Sequence, residues 1–154
     1  MKADKKLSDN LQAVLVDLIE LAIQGKQAHW NVVGKNFRDM HLQLDEIIAA
    51  ARTASDEVAE RMRALEALPD GRSEVVTKTT TLPKLPPDQI DTADVVALIT
   101  ERLLAASATC RRVHDEVDEA DPTSADILHT IIEMLEQFAW MVSAELQKPR
   151  KRAN

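Results

Sequence analysis

His29-Trp30-Asn31-Val32-Val33-Gly34-Lys35-Asn36-Phe37-Arg38-Asp39-Met40-His41 separates two helical repeats in the first half of the chain. Before it, Leu11, Val14, Leu15, Leu18, Leu21, Ala22 and Ala28 recur at helical spacing, which predicts an amphipathic helix from about residue 7 to residue 33. Ser8 or Asp9 is the expected cap at its start. Gly34 ends it, and Lys35 or Asn36 turns the chain. After the turn, Phe37, Met40, Leu44, Ile47, Ile48, Ala51, Val58, Met62 and Leu65 predict a second helix, stopped before the breaker Pro69-Asp70-Gly71. A turn this short makes the two helices antiparallel neighbours.

Residues 69–91 break the pattern. Pro83, Pro86 and Pro87 with Thr77, Thr79, Thr80 and Thr81 exclude a long helix, leaving a crossover with room for one short helix near Ser73 to Lys78. Asp91 or Thr92 then caps a third helix carrying Val95, Val96, Ile99, Leu103, Ala106, Cys110, Val113 and Val117. Asp121-Pro122-Thr123 breaks it, with proline suited to the first turn of the next helix. That fourth helix carries Leu128, Ile131, Ile132, Leu135, Phe138, Ala139, Val142 and Leu146, and Pro149 stops it. Trp140 is expected in its core. Two hairpins joined by one long crossover make an all-α fold, the ferritin-like variant of the four-helix bundle. The expected organisation is a bundle over residues 1–147, flexible at 1–6, and a basic, unstructured tail at 148–154.

Composition agrees with this class. The 154 residues suit one domain, with 45% hydrophobic and 29% charged residues, three glycines and no tyrosine. The single cysteine, Cys110, cannot form an intrachain disulfide and is expected in the core, in keeping with a reducing cytosol. No charged start precedes an apolar stretch, and no apolar run reaches membrane length, so a cytoplasmic protein is expected. The net charge of −7 is uneven: Lys148, Arg150, Lys151 and Arg152 leave the rest of the chain at −11.

The first two helices carry the chemistry. His29 and His41 are equidistant from position 35, so an antiparallel hairpin sets them at one height. Asp56 and Glu60, four residues apart, share one face of the second helix. Imidazole with carboxylate suits iron, zinc or manganese. His41 and Asp56 are fifteen residues apart on one helix, about 22 Å at about 1.5 Å per residue. Metal–ligand bonds of about 2 Å exclude one ion held by all four within one chain. Either the two halves are unrelated and Asp56 and Glu60 form a solvated face partnered by Arg52 and Arg61, or a two-fold crossing near residue 48 brings His41 of one chain to Asp56 of another. The Glu-x-x-His pairs of an intrachain di-iron bundle are missing; Asp126-Ile127-Leu128-His129 comes nearest, with the wrong acid.

The blocks His29-Trp30-Asn31-Val32-x-Gly34-x-x-Phe37-x-x-Met40-His41, Asp45-Glu46 and Asp56-x-x-x-Glu60-Arg61 resemble the signature of the Dps-type mini-ferritins, DNA-binding proteins from starved cells. Ala125-Asp126-Ile127-Leu128 and Phe138-Ala139-Trp140-Met141 extend the likeness into the last helix; Met40 stands where leucine is usual. The resemblance implies a hollow spherical dodecamer with two-fold and three-fold interfaces. It implies a ferroxidase, an oxidoreductase whose iron (Fe2+/Fe3+) is held by His29 and His41 of one subunit and Asp56 and Glu60 of its neighbour. Hydrogen peroxide is the implied oxidant, Fe(III) is mineralised in the shell, and DNA is thereby protected under stress. Asp45, one turn from His41, is a candidate to orient ligand or water around that centre. Trp30, beside it in sequence, is a candidate radical quencher there or else an aromatic that packs the bundle.

Two further groups take roles by the same resemblance. Asp115, Glu116, Asp118 and Glu119 lead to Asp121 and Asp126, which are expected to line three-fold channels that draw in Fe(II). The tail residues Lys148, Arg150, Lys151 and Arg152, with a weaker patch at Lys2, Lys5 and Lys6, are expected to bind DNA phosphates without sequence preference. The other reading is a DNA-compacting architectural protein with minor iron chemistry; nucleoid association is expected if DNA is bound.

Overall fold

The computed structural model describes residues 2–152; Met1 and residues 153–154, the extremes of the N-terminal end and of the basic tail, lie outside the described residues. The chain runs α1 (Lys5–Asn31), β1 (Val32–Val33), α2 (Phe37–Ala64), α3 (Ser73–Thr79), β2 (Ile90–Asp91), α4 (Thr92–Ala120) and α5 (Pro122–Ala144). α1 packs on α2 and α4, α4 on α5, and α2 on α5, which closes a four-helix bundle. Leu18, Leu21, Leu44, Ile47, Ile99, Leu103, Leu128 and Leu135 fill its centre, each at most 1% exposed. Cys110 is buried among them, and burial pushes its thiol up to about 12, so it is an inert core residue.

Several boundaries differ from the periodicity. α1 starts earlier than Ser8: the Asp4 carboxylate accepts from the Leu7 N–H at 2.8 Å and is the cap. The N-terminal end is not free through residue 6, since Ala3 N–H donates to Leu65 O at 2.9 Å and Lys5 and Lys6 are helical. α5 ends at Ala144, before Leu146. Trp140 is not a core residue; it is 64% exposed because the buried stripe of α5 runs Leu128, Ile131, Ile132, Leu135, Ala139, Val142 and leaves position 140 outside.

The crossover holds a feature the residue pattern did not announce. Val32 and Val33 pair in parallel with Ile90 and Asp91, which ties the end of the crossover to the turn of the first hairpin. Gly34 sits at φ 119°, and a Cβ there would lie 2.7 Å from Asp91 Oδ2, so both backbone and space require glycine. Thr92 Oγ1 donates to Lys35 O at 2.7 Å on the same bracket. Asp91 does cap α4, accepting from Ala93 N–H at 2.9 Å.

Three polar residues of α1 fasten the rest of the crossover. Gln12 exchanges two hydrogen bonds with the backbone of Asp70, at 2.8 and 2.9 Å. Asp17, 1% exposed, accepts from Thr80 Oγ1, Thr81 N–H, Thr81 Oγ1 and Thr109 Oγ1 at 2.6–2.8 Å. Gln24 donates to Pro83 O at 3.0 Å and accepts from the buried Arg102, which also donates to Lys84 O at 2.6 Å. The threonine run that excludes helix thus supplies hydroxyls to one buried carboxylate.

Removing that carboxylate takes the acceptor from an amide and three hydroxyls, one of them on the buried Thr109. Asp17→Ala is expected to lower unfolding free energy by about 3 kcal/mol in urea and to open residues 80–88 to protease. At the α4–α5 turn, Asp121 accepts from Arg61 Nη2 at 2.6 Å and from the Ser124 hydroxyl. Burial pushes the Asp121 carboxyl up, but Ser124 and Arg61 together outweigh it and hold it below the usual carboxylate range. A carboxyl depressed by folding stabilises above its unfolded value and loses that contribution as pH falls through the folded value. Acid unfolding of Arg61→Gln is therefore expected to begin at higher pH than in the parent, in the range below about pH 4.

Candidate metal centre

His29 closes α1 and His41 opens the second turn of α2, so the short turn between them sets the two imidazoles side by side. Their rings stack with centroids 3.6 Å apart and planes 25° from parallel. The hydrogen bonding is reciprocal: His29 Nδ1 lies 3.0 Å from His41 O, and His41 Nδ1 lies 3.1 Å from His29 O. A carbonyl oxygen only accepts, so each ring carries its proton on Nδ1. In the neutral imidazole Nε2 then carries the lone pair, the form in which imidazole ligates a metal. Phe37 lies against His41, its ring centroid 5.1 Å away, and restricts how that ring can rotate.

Asp45, one turn beyond His41, completes the local cluster. One ligand atom from each of His29, His41 and Asp45 lies within 4.8 Å of the others. Lys26 donates to Asp45 Oδ1 at 2.7 Å, and the same oxygen lies 3.3 Å from His29 Nδ1. The Lys26 hydrogen bond, against the cost of burial and aided by the neighbouring imidazoles, holds the Asp45 carboxyl below its ordinary range. Asp45 is therefore an anion at neutral pH that orients His29. Sequence reasoning missed Lys26. Its signal was the spacing Lys26–His29, three residues apart on one helix face.

Asp56 and Glu60 are not brought to this cluster. Both lie on the far half of α2, and the helix is unbroken from Phe37 to Ala64, so the separation along it stays about 22 Å. Arg61 is not their partner; it is committed to Asp121. Between the two halves runs a shallow groove on the outer face of α1 and α2. Ile23, Trp30, Lys26 and Arg52 line one end, and Leu15, Asp56 and Pro69 line the other. Trp30 is 68% exposed and Ile23 53% exposed on this face, so Trp30 is no bundle-packing residue.

The acids of the α4–α5 turn separate into two kinds. Asp121 is 5% exposed and occupied by Arg61 and Ser124, so it is not an open acid in this chain. Glu116 is bound by Lys6 at 2.9 Å and Asn10 at 3.0 Å. Asp115, Asp118, Glu119 and Asp126 are exposed. In the described part of the tail, Lys148, Arg150, Lys151 and Arg152 are exposed and outside any helix. No helix among the described residues is long and apolar enough to cross a membrane.

A family model described as "Ferritin-like domain" matches residues 8–151. The chain is 32% identical over 143 residues to the DNA protection during starvation protein 2 of Deinococcus radiodurans, covering 93% of this chain and 59% of that protein. It is 33% identical over 139 residues to the DNA protection during starvation protein of Agrobacterium fabrum, covering 90% of this chain and 86% of that protein. Among solved structures, a Dps protein from Deinococcus radiodurans superposes with a TM-score of 0.90 at 31% identity, covering 93% of this chain and 87% of that one. Dps from Microbacterium arborescens in its high-iron form gives 0.88 at 31% identity, covering 95% and 98%. A bundle with this crossover, a histidine pair at the hairpin end and whole-length likeness to these proteins make the chain a member of the ferritin-like family, of the Dps mini-ferritin type.

Proposed function

We propose that this protein is a ferroxidase and iron-storage protein whose active centre is shared between two subunits. The observation that carries the reading is the pair of reciprocal Nδ1–H to carbonyl bonds, which leaves the Nε2 atoms of His29 and His41 without a protein hydrogen-bond partner. Asp56 and Glu60 stand on the same helix as His41 with no room to reach those nitrogens in one chain. A second copy crossing antiparallel over the groove would cover Ile23 and Trp30 and set its acids opposite the imidazoles; two-fold symmetry makes two such centres. The family's closed shell, a dodecamer, then arises from repeating this contact with a three-fold one.

Iron is the substrate here. Two Fe(II) held together supply both electrons that hydrogen peroxide needs, giving two Fe(III) and two hydroxide ions, so no one-electron hydroxyl radical is released. Imidazole and carboxylate ligands with open positions suit an Fe(II) that must meet an oxidant. Asp45 holds His29, and Trp30 covers the rim. Fe(III) hydrolyses and is stored inside the shell, which would protect DNA. The open acids of the α4–α5 turn, Asp126 foremost, favour cation approach, with Asp121 shaping the turn through Arg61.

His41→Ala and Asp56→Ala are each expected to slow peroxide-dependent Fe(II) oxidation at least tenfold, followed by absorbance of the Fe(III) product, with particle mass unchanged. Mixing the two variants through disassembly and reassembly separates a shared centre from an intrachain one. A mixed pair holds one doubly damaged and one intact centre, so about a quarter of parental activity should return. No recovery on mixing would place all four ligands in one chain or exclude them as ligands.

The tail makes DNA binding the second part of the reading, because four exposed cations on each of many subunits act together. Deleting residues 147–154 is expected to abolish retardation of duplex DNA in gels while leaving iron oxidation intact. For the full-length protein, retardation should be lost steeply between roughly 50 and 200 mM salt.

A further inference from the structure

A second histidine pair lies far from the first. His114 on α4 and His129 on α5 meet across the hairpin with their Nε2 atoms 2.6 Å apart and ring centroids 4.5 Å apart. Lys6 and Asn10, at the start of α1, bond Glu116, two residues beyond His114, whereas His29 closes the other end of that helix. The two pairs therefore occupy opposite ends of the bundle.

The hydrogen-bond partners define the electronic state of this pair. His114 Nδ1 lies 3.0 Å from Asp115 Oδ1. A carboxylate accepts, so His114 carries its proton on Nδ1 and turns a lone pair at Nε2 toward His129. At 2.6 Å a positive centre must lie between the nitrogens, and the His129 Nε2 proton supplies it. That proton has an alternative seat at His129 Nδ1, which faces Asp126 Oδ1 at 3.7 Å. With the proton there, two lone pairs converge on one point, with Asp115 bonded to one ring and Asp126 3.7 Å from the other. This is the carboxylate–histidine arrangement that supports metal ligation.

The surroundings favour a cation. Arg111, which lines the same hollow, is neutralised by Glu136 at 2.7 and 2.9 Å. Asp115, Asp126 and Glu133 remain as anions around it, Glu133 one turn beyond His129 on the same face. The His129 side chain is 59% exposed and can move, while His114, 22% exposed, is the more fixed of the two. Metal–nitrogen bonds of about 2.0–2.1 Å at a tetrahedral angle need an N···N separation of about 3.3 Å. A swing of His129 outward by about 0.7 Å provides it, and water or Glu133 can take the remaining positions.

We propose that His114 and His129 bind one divalent transition cation of the zinc class per chain through their Nε2 atoms, with Asp115 positioning His114. Two imidazole nitrogens select zinc, cobalt or nickel over magnesium and calcium, which prefer oxygen. The site is independent of the proposed iron centre at His29 and His41 and requires no iron oxidation.

The test uses the assembled full-length protein with Co(II) as the spectroscopic probe and Zn(II) in crystals. The double variant His114→Ala/His129→Ala is expected to bind one Co(II) fewer per chain than the parent and to lose one visible absorption component. Asp115→Asn is expected to weaken Co(II) binding at that component roughly 10–100-fold without removing it. The His29→Ala/His41→Ala variant should retain it, which separates failure here from failure of the ferroxidase reading. Zinc-edge anomalous scattering should place a peak about 2 Å from both Nε2 atoms. Equal Co(II) uptake by parent and double variant, or zinc bound in the crystal with no peak between these imidazoles, would overturn the proposal.

Discussion

The fold depends on satisfying a long crossover that lies against the bundle with little regular hydrogen bonding of its own. Backbone polar groups in such a segment need partners once they leave water. α1 supplies them at three levels: Gln12 to Asp70, Asp17 to Thr80 and Thr81, and Gln24 to Pro83. Arg102 closes the last level from α4 by reaching Gln24 and Lys84 O. A buried guanidinium is costly alone, and desolvation lowers its proton affinity. Here its donors meet carbonyl and amide oxygens, and Glu101 lies 3.2 Å from Nη1. The consequence extends beyond the crossover. Its final residues pair with Val32 and Val33, which stand between His29 and His41 in the chain. Fastening the crossover therefore also fixes the base on which the two imidazoles stand.

That base explains why the two imidazoles are held side by side. Each ring is held by the carbonyl of the residue bearing the other ring, a closed pair of bonds that a longer or looser turn would not permit. Gly34 makes the tight turn possible, since its left-handed backbone and the nearby Asp91 carboxylate both exclude a side chain. Lys26 and Asp45 add a polar edge, and Phe37 an apolar one. On the groove beyond them large apolar side chains face outward, Ile23 and Trp30 together. Large apolar side chains exposed together on one face are the arrangement expected of a surface that meets a partner.

Much of this was legible from residue spacing. Four long helices, the short one at Ser73–Thr79, the Asp91 cap and the single crossover follow from apolar period and breakers. The His29–His41 pairing follows from symmetry about position 35, and the exclusion of Asp56 from the same ion follows from helix rise alone. The features that spacing could not reveal were local and tertiary. A two-residue parallel bridge has no period to detect, so β1 and β2 left no trace. Asp4 lay outside the apolar repeat, which drew the expected cap to Ser8 or Asp9. Trp140 reads as core by residue type, while its angular position on α5 points it outward. Buried polar residues such as Asp17 and Arg102 are invisible in a pattern of apolar positions, because their partners come from distant chain.

The acidic run at the α4–α5 turn shows how structure sorts residues that composition treats alike. Acids at a helix C-terminus oppose the macrodipole, each at a cost of about a few tenths of a kcal/mol. Two of these acids offset that cost through partners: Glu116 ties α4 to the start of α1 through Lys6 and Asn10, and Asp121 ties the turn to α2 through Arg61. Both are held below the usual carboxylate range by those bonds, although burial pushes against Asp121 first. Asp115, Asp118, Glu119 and Asp126 stay exposed, so their field remains available to solvent cations. Two of the four, Asp115 and Asp126, stand beside the imidazoles of His114 and His129. Negative potential and one histidine pair thus coincide at one end of the bundle, while the other pair stands at the opposite end, on the helices whose outer face carries Ile23 and Trp30. Two histidine pairs are thus set in two electrostatic settings, and the packing between them keeps them distinct.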